Sequence, residues 1–194
     1  SRFLMDTKVD LTFYDITADE AELLAEEVFA EMIRLENILS AHQAGSDLAK
    51  INKGAGKEAV KVCPETAEVI NKFLELALST DGAFDATIAP VLELWGFGEE
   101  KQAVPQHDQL KQALTLVNYK NVSLQDSNKV KLKQEGMKLD LGGIAKGYIV
   151  DQGIKILKNN NVEAAFLNAG GEIGMLGAKP GGTPWRVGIK DPQK

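Results

Sequence analysis

The chain has 194 residues, and its 22 Lys and Arg residues against 28 Asp and Glu residues give a net charge of −6 at neutral pH. Hydrophobic residues make up 44% of the sequence and charged residues 26%, the composition of an ordinary globular protein. The acidic balance argues against a general nucleic-acid binder, and the single cysteine excludes an internal disulfide framework. No apolar run approaches the roughly 20 residues that cross a bilayer.

Alternating apolar residues open the chain and predict a half-buried strand over residues 3–13, with Met5 on it. Thr17 followed three residues later by Glu20 predicts a capping box, in which each side chain binds a free amide at a helix start. Apolar residues then recur at helical spacing, so we expect a long amphipathic helix that ends at about Leu39.

Three further helices are predicted between residues 46 and 117. Ser46 is expected to cap a short helix that ends near residue 52, and Pro64 to open a helix that ends before Asp81. The spacing of apolar residues over 108–117 predicts the third.

The rest of the chain is predicted to form mainly strands, with one helix over residues 142–158. Runs or alternation of apolar residues predict strands at 122–124, 130–132, 137–141, 162–167 and 185–189. Because the strands cluster late in the chain, the pattern favours an α+β fold over a regular βαβ winding.

The strongest chemical signal is the segment 139–148, where a predicted strand brings Asp140 to a pair of glycines, Gly142 and Gly143, at a helix start. Helix N-termini carry unpaired amides and a partial positive charge, so they favour phosphate groups, and Lys146 adds a cation. The spacing matches neither a Walker A loop nor G-x-G-x-x-G. The structural alternative is a capped turn whose glycines serve only the bend.

A second candidate is the small-residue turn at 82–87, which places the Phe84 ring beside the Asp85 carboxylate. An aromatic wall next to hydrogen-bonding groups suits a planar ring ligand. From the residues alone, a core aromatic beside a helix-capping Asp is the better interpretation. The segment 95–98 is likewise more typical of a packing corner than of a binding site.

Other residues with reactive side chains indicate no site of their own. His42 and His107 lie far apart without acidic or cysteine partners at the spacing of zinc ligands. Cys63 has no flanking motif of a catalytic thiol, and no nucleophile motif is found. The glycines at 170–171, which follow a predicted strand, indicate a tight turn or a close contact.

Six groups of residues occur in the order typical of one family, and the match runs from about residue 3 to residue 192. They are Met5-Asp6-Thr7; Leu39-Ser40-Ala41-His42 with Ser46-Asp47-Leu48 and Ile51-Asn52; Gly82-Ala83-Phe84-Asp85 with Pro90 and Leu94-Trp95-Gly96-Phe97-Gly98; Leu139 through Tyr148 with Asp151; Asn168-Ala169-Gly170-Gly171; and Trp185 through Ile189 with Asp191-Pro192. Each group is a weak signal, but six in register are hard to obtain by chance. The chain resembles the ApbE-type FAD:protein FMN transferases, the bacterial flavinyltransferases.

The resemblance implies a T-fold-like α+β architecture, with mixed or antiparallel sheets and packed helices. It also implies that FAD is bound, that its pyrophosphate is split in a magnesium-dependent reaction, and that FMN is transferred to a Thr or Ser hydroxyl of an acceptor flavoprotein with release of AMP. Some members hydrolyse FAD to FMN and AMP, so an FAD pyrophosphatase is one alternative. A non-catalytic flavin-binding module is another, and no nucleic-acid partner is implied.

Five residues are expected, by this resemblance, to surround the nucleotide. Met5 would touch the flavin nucleotide, and Ala83, Phe84 and Asp85 would line its adenine or ribose side. His42 stands where many relatives carry a Tyr that contacts the flavin, and its smaller ring is expected to stack with less area.

The glycine-rich turn carries the remaining implied roles. Asp140 and Lys146 would bind FAD there, and the backbone carbonyl of Gly143 would be a magnesium ligand. Because one carbonyl cannot hold Mg²⁺, an Asp and a Thr further along the family's sequence are expected to complete the site. We therefore expect residues 1–194 to be the N-terminal major part of a flavinyltransferase domain, with the C-terminal part missing.

The location is also implied by resemblance alone. Family members usually work outside the cytoplasmic membrane, often held by a lipid on an N-terminal cysteine. We therefore expect an extracytoplasmic protein, associated with the membrane only through an anchor that lies outside these residues.

Overall fold

The chain folds as two units. One comprises Ser1–Arg34 and Lys146–Lys194, and the other comprises Leu35–Ala145. The structure is a computed structural model that describes residues 1–96, 102–189, 191 and 193. The family-pattern residues Phe97, Gly98 and Pro192 lie outside the described residues.

The described residues form the following strands and helices. The strands are β1 (Arg2–Leu4), β2 (Thr7–Tyr14), β3 (Val60–Lys61), β4 (Val122–Gln125), β5 (Lys129–Leu132), β6 (Ala164–Ala169) and β7 (Glu172–Leu176). The α-helices are α1 (Ala18–Leu39), α2 (Asp47–Lys53), α3 (Pro64–Ser79), α4 (Ala89–Trp95), α5 (His107–Leu114) and α6 (Gly142–Asn159). Short 3₁₀ helices cover Ala86–Ile88, Tyr119–Asn121 and Pro180–Gly182.

The first unit contains a four-stranded sheet in the order β1-β2-β6-β7, and every pairing in it is antiparallel. The strand predicted over residues 3–13 is two strands, because Met5 and Asp6 adopt positive φ angles of 52° and 57° and form a two-residue hairpin turn. The placement of Met5 on a strand was therefore wrong. The alternation of apolar residues continues through such a turn, so the two-residue period of the sequence does not reveal where the turn lies.

The capping box at the start of α1 is confirmed. The Thr17 amide donates to Glu20 Oε2 at 3.0 Å, and the Glu20 amide donates to Thr17 Oγ1 at 3.3 Å. The hydrogen bonds from Thr17 hold the pKa of the Glu20 carboxyl below its ordinary value. The helix buries Val28, Met32 and Leu35 completely, as its apolar spacing predicts.

The second unit contains a three-stranded antiparallel sheet in the order β3-β5-β4. The predicted hairpin of β4 and β5 and the predicted helices α2 and α3 are confirmed, and α5 ends at Leu114, before the predicted end. The core of this unit is apolar and fully buried. It includes Leu48, Ile51, Ile70, Phe73, Val130, Leu132, Met137 and Leu139.

A buried carboxylate ties α2 to the start of α3. Asp47 Oδ2 accepts hydrogen bonds from the Cys63 amide at 2.8 Å and from Thr66 Oγ1 at 3.2 Å. Burial by itself opposes ionisation of Asp47, but these bonds outweigh it and hold the pKa of the carboxyl below its ordinary value. Burial also raises the pKa of the Cys63 thiol.

Two predicted strands are wrong. Residues 137–141 have no strand partner, and their backbone groups bind the Asn52 side chain and the Ala86 carbonyl. Residues 185–189 also form no strand, and Ile189 is 98% exposed. β6 begins at Ala164, later than predicted, and β3 and β7 were missed.

The fold class is confirmed as α+β, and all strand pairings among the described residues are antiparallel. None of the described helices is both long enough and apolar enough to span a bilayer.

Candidate functional site

A cavity of about 350 Å³ lies in the second unit, where the turn after α3 meets the start of α6. The structure brings five of the predicted site residues into its wall. The lining residues are Gly82, Ala83, Phe84, Asp85, Ala86, Ile88, Leu92, Val117, Asp140 and Gly143. The two motifs that the sequence presented separately therefore form one site.

The turn that carries Ala83 and Phe84 is held by the end of α3. Asp81 and Gly82 adopt positive φ angles of 50° and 79°, and the Gly82 amide donates to the Ala77 carbonyl at 2.8 Å. This left-handed arrangement is a common way to end a helix. The Phe84 amide then donates to Thr80 Oγ1 at 3.1 Å, so the turn is fixed on both sides of Ala83.

Phe84 forms an apolar wall of the cavity and also packs on the core. Its ring lies 6.3 Å from the fully buried ring of Phe73 at an interplanar angle of 63°, an edge-to-face contact. Phe84 itself is half-buried. The ring is therefore both a core aromatic and a wall of the cavity, the two interpretations that the sequence left open.

Asp85 organises the floor of the cavity. Its Oδ1 accepts hydrogen bonds from the Thr87 amide at 2.8 Å and the Thr87 hydroxyl at 2.7 Å, and its Oδ2 accepts one from the Tyr119 amide at 2.9 Å. Thr87 is fully buried and in turn accepts a hydrogen bond from the Asn118 amide at 2.8 Å. Asp85 thus caps the 3₁₀ helix Ala86–Ile88, as predicted by the interpretation of Asp85 as a helix-capping residue. Its contact with a nucleotide stays a prediction.

Asp140 joins the two motifs. Its amide donates to the Ala86 carbonyl at 2.8 Å, and its Oδ1 accepts a hydrogen bond from the Gly142 amide at 2.8 Å. Asp140 Oδ2 receives no hydrogen bond from the described part of the chain. One oxygen of the half-buried Asp140 carboxylate therefore satisfies the first amide of α6, and Asp140 also lines the cavity.

Gly143 lies in the first turn of α6, where the chain comes close to Phe84. A Cβ added at Gly143 would lie 3.0 Å from Phe84 Cε2, which is tighter than ordinary van der Waals contact. The amides of Ile144 and Ala145 both donate to the Leu141 carbonyl, at 2.9 and 2.7 Å, and start the helix. A helix start of this kind carries a partial positive charge toward the cavity.

The residues described here do not make a magnesium site by themselves. Gly143 contributes one backbone carbonyl, and Mg²⁺ requires near-octahedral oxygen coordination. Across residues 1–96, 102–189, 191 and 193, no group of three or more His, Cys, Asp or Glu side chains is arranged to hold a metal ion. The magnesium role of Gly143 therefore stays a prediction.

Three predicted site residues lie outside the lining of this cavity. Met5 is in the hairpin turn and Lys146 is in the second turn of α6, and both belong to the first unit. His42 belongs to the second unit, where it is exposed and its amide donates to Ser40 Oγ at 3.2 Å. Their contacts with a flavin stay predictions.

Asn52 does not line the cavity but holds the backbone beside it, a role that was not predicted. Its Nδ2 donates to the Leu139 carbonyl at 3.0 Å, and the Leu139 amide donates to its Oδ1 at 2.8 Å. This pair of bonds fixes the backbone directly before Asp140. Its partner lies 87 residues away, so a single sequence offers no local signal for the contact.

These features define an α+β protein in which an aromatic turn and a glycine-rich helix start share one cavity. The chain belongs to the ApbE family, whose model matches residues 5–194, and the predicted resemblance is confirmed. It is 35% identical over 189 residues to the FAD:protein FMN transferase of Treponema pallidum, covering 90% of this chain and 52% of the relative. It is also 35% identical to a protein of that name from Klebsiella pneumoniae, covering 99% of this chain and 58% of the relative.

Solved structures of the family have the same fold. A crystal structure of the ApbE protein of Thermotoga maritima superposes with a TM-score of 0.90 at 36% identity, covering 100% of this chain and 63% of that one. The flavin transferase ApbE of Vibrio cholerae gives a TM-score of 0.89 at 26% identity, covering 97% and 62%. The chain thus spans between half and two thirds of the length of these relatives.

Proposed function

We propose that the protein to which this chain belongs transfers FMN from FAD to a Thr or Ser hydroxyl of an acceptor flavoprotein, in a magnesium-dependent reaction that releases AMP. Relatives named FAD:protein FMN transferase support the class of reaction. The observation that carries the proposal for this chain is the single cavity formed by Phe84, Asp140 and Gly143. It combines an apolar wall for a ring with a helix start for anionic groups.

The proposed chemistry needs no nucleophile from the protein. The acceptor's hydroxyl oxygen attacks the phosphorus of the FMN half, and the new O–P bond forms as the P–O bond of the pyrophosphate bridge breaks. AMP leaves with the bridging oxygen, and the hydroxyl proton passes to solvent. Phosphoryl transfer of this kind depends chiefly on positioning and on opposing the charge of the phosphates.

Residues of this chain would bind and orient the dinucleotide. The partial positive charge at the start of α6 and the cation of Lys146 would oppose the charge of the pyrophosphate. The hydrogen bond from the Gly142 amide to Asp140 holds the first turn of α6 in place. Ala83, Phe84 and Asp85 are proposed to line the adenine or ribose side.

Met5 and His42 are proposed to contact the flavin. The proposal requires magnesium ligands besides the Gly143 carbonyl, because the described residues contain no metal-binding cluster. We also propose an extracytoplasmic location for the intact protein, which fractionation of the native host would test.

The proposal is tested with the intact protein, FAD, Mg²⁺ and an acceptor that contains the target Thr. We expect AMP in solution and a fluorescent acceptor band that survives denaturing electrophoresis, with neither product when the target Thr is replaced by Ala. AMP without the fluorescent band would instead identify an FAD pyrophosphatase. Bound FAD without AMP would identify a non-catalytic flavin-binding module.

A further inference from the structure

A second cavity in the unit Leu35–Ala145 is strongly basic. It has a volume of about 530 Å³, and we call it the basic groove. Its lining residues are Lys50, Lys53, Gly54, Lys57, Glu58, Ala59, Val60 and Lys61, of which four are cationic and one is acidic. The chain as a whole carries a net charge of −6, so this surface is opposite in sign to the protein that bears it.

The adjoining sheet extends the positive charge. The register of β3 and β5 places Val60 opposite Val130 and Lys61 opposite Lys129. Val130 is fully buried and side chains alternate along a strand, so Lys61 and Lys129 share the exposed face. Like charges directly opposite each other weaken a sheet, and stability therefore does not account for this pair.

Most of these ammonium groups are not neutralised within the protein. Lys50 Nζ lies 3.4 Å from Asp47 Oδ1. Lys53, Lys57 and Lys61 have no carboxylate oxygen within 4.0 Å among the residues the structure describes. The negative end of α2 accounts for basic residues in its last turn, which include Lys53, but not for Lys57 or Lys61.

The backbone of the basic groove is held in place. The Gly56 amide donates to the Leu132 carbonyl at 2.9 Å. Gly56 has a positive φ of 73°, and a Cβ added there would lie 2.5 Å from the Glu135 amide nitrogen. At Gly54 an added Cβ would lie 2.8 Å from Val60 Cγ2. The loop between α2 and β3 is thus closely packed, so its one lysine, Lys57, lies on a preformed surface.

We propose that the basic groove, together with Lys129 on the neighbouring strand, docks an acidic, carboxylate-rich segment of a partner protein. Separate ammonium groups suit carboxylates spaced along a chain, whereas phosphate sites favour arginine forks or backbone amides. The lining offers no aromatic ring on which a nucleic-acid base could stack. Its apolar members Ala59 and Val60 are half-buried, which does not suit insertion into lipid.

The test is titration of the intact protein with a fluorescent peptide of Asp, Glu and Gly, followed by anisotropy. We expect binding that weakens about tenfold or more between about 0.05 M and about 0.3 M salt, because exposed charges are screened. The double substitution Lys57→Glu with Lys61→Glu is expected to weaken binding to a similar extent. Lys57→Gln with Lys61→Gln should give a smaller loss, since it removes charge without reversing it.

A matched control separates local from overall charge. The double substitution Lys72→Glu with Lys111→Glu changes the net charge by the same amount as Lys57→Glu with Lys61→Glu, but at exposed positions on α3 and α5. It should leave the peptide's affinity unchanged. Equal losses in both double variants would overturn the proposal, as would equal binding of a peptide with Asn and Gln in place of Asp and Glu. Binding only of a phosphoserine peptide or of anionic lipid vesicles would also overturn it. FAD affinity should be the same in all variants, so the result is independent of the proposed flavin chemistry.

Discussion

Replacement of Asn52 by Ala tests how the site is held. The Asn52 side chain exchanges two hydrogen bonds, of 3.0 and 2.8 Å, with the backbone of Leu139, whose side chain is fully buried. These two bonds satisfy backbone groups of the segment 137–141 that a neighbouring strand would bind in a sheet. The next residue along the chain is Asp140, which caps α6.

The magnitude follows from the groups left without partners. Asn52→Ala leaves the amide and the carbonyl of Leu139 unsatisfied, and each such buried group costs about 1–3 kcal/mol. We therefore expect the free energy of unfolding to fall by about 2–5 kcal/mol, a large part of the total for a typical domain. FAD affinity should fall as well, because the backbone before Asp140 is no longer fixed.

Urea unfolding of the intact protein measures the first effect, and FAD titration measures the second. Asn71→Ala is the matched control, since Asn71 makes one exposed hydrogen bond to Glu75 along α3, and its loss should cost at most about 0.5 kcal/mol. Asn52→Asp keeps an acceptor for the Leu139 amide but faces the carbonyl with a second oxygen, so it should also be destabilising. An Asn52→Ala protein as stable as the Asn71→Ala protein would refute this reasoning.

Three further predictions concern single charges. Lys146→Ala should weaken FAD binding about five- to tenfold while Lys155→Ala, further along α6, leaves it unchanged; equal affinities in titration would remove the proposed role of Lys146. Asp85→Asn should lower the free energy of unfolding by about 1–3 kcal/mol, because its new amide would face a donor at Thr87 or Tyr119, and unchanged urea midpoints would contradict this. The lowered pKa of Asp47 means that its stabilising effect is present above the pKa of the unfolded chain and is lost as pH falls through the folded value. Asp47→Asn should therefore lower the free energy of unfolding most at about pH 7 and have almost no effect on it in strong acid. A stability difference between the two proteins that does not change with pH would contradict this role of the Asp47 carboxylate.

Local signals predicted much of the fold. The reciprocal contacts of Thr17 and Glu20, the cap at Ser46 and the proline at the start of α3 each depend on residues within one helical turn. The hairpin of β4 and β5 is equally local. Distant contacts misled the prediction in one place, since residues 137–141 look like a strand but their hydrogen bonds go to Asn52 and Ala86.

The candidate site shows the same division. The two motifs can be recognised from the sequence, because an aromatic turn and a glycine-rich helix start each consist of a few adjacent residues. That Phe84, Asp140 and Gly143 line one cavity, and that Asn52 holds the backbone beside it, became visible in the folded chain alone. Hydrogen bonds and side-chain packing between residues far apart in sequence depend on the path of the whole chain, which no local pattern encodes.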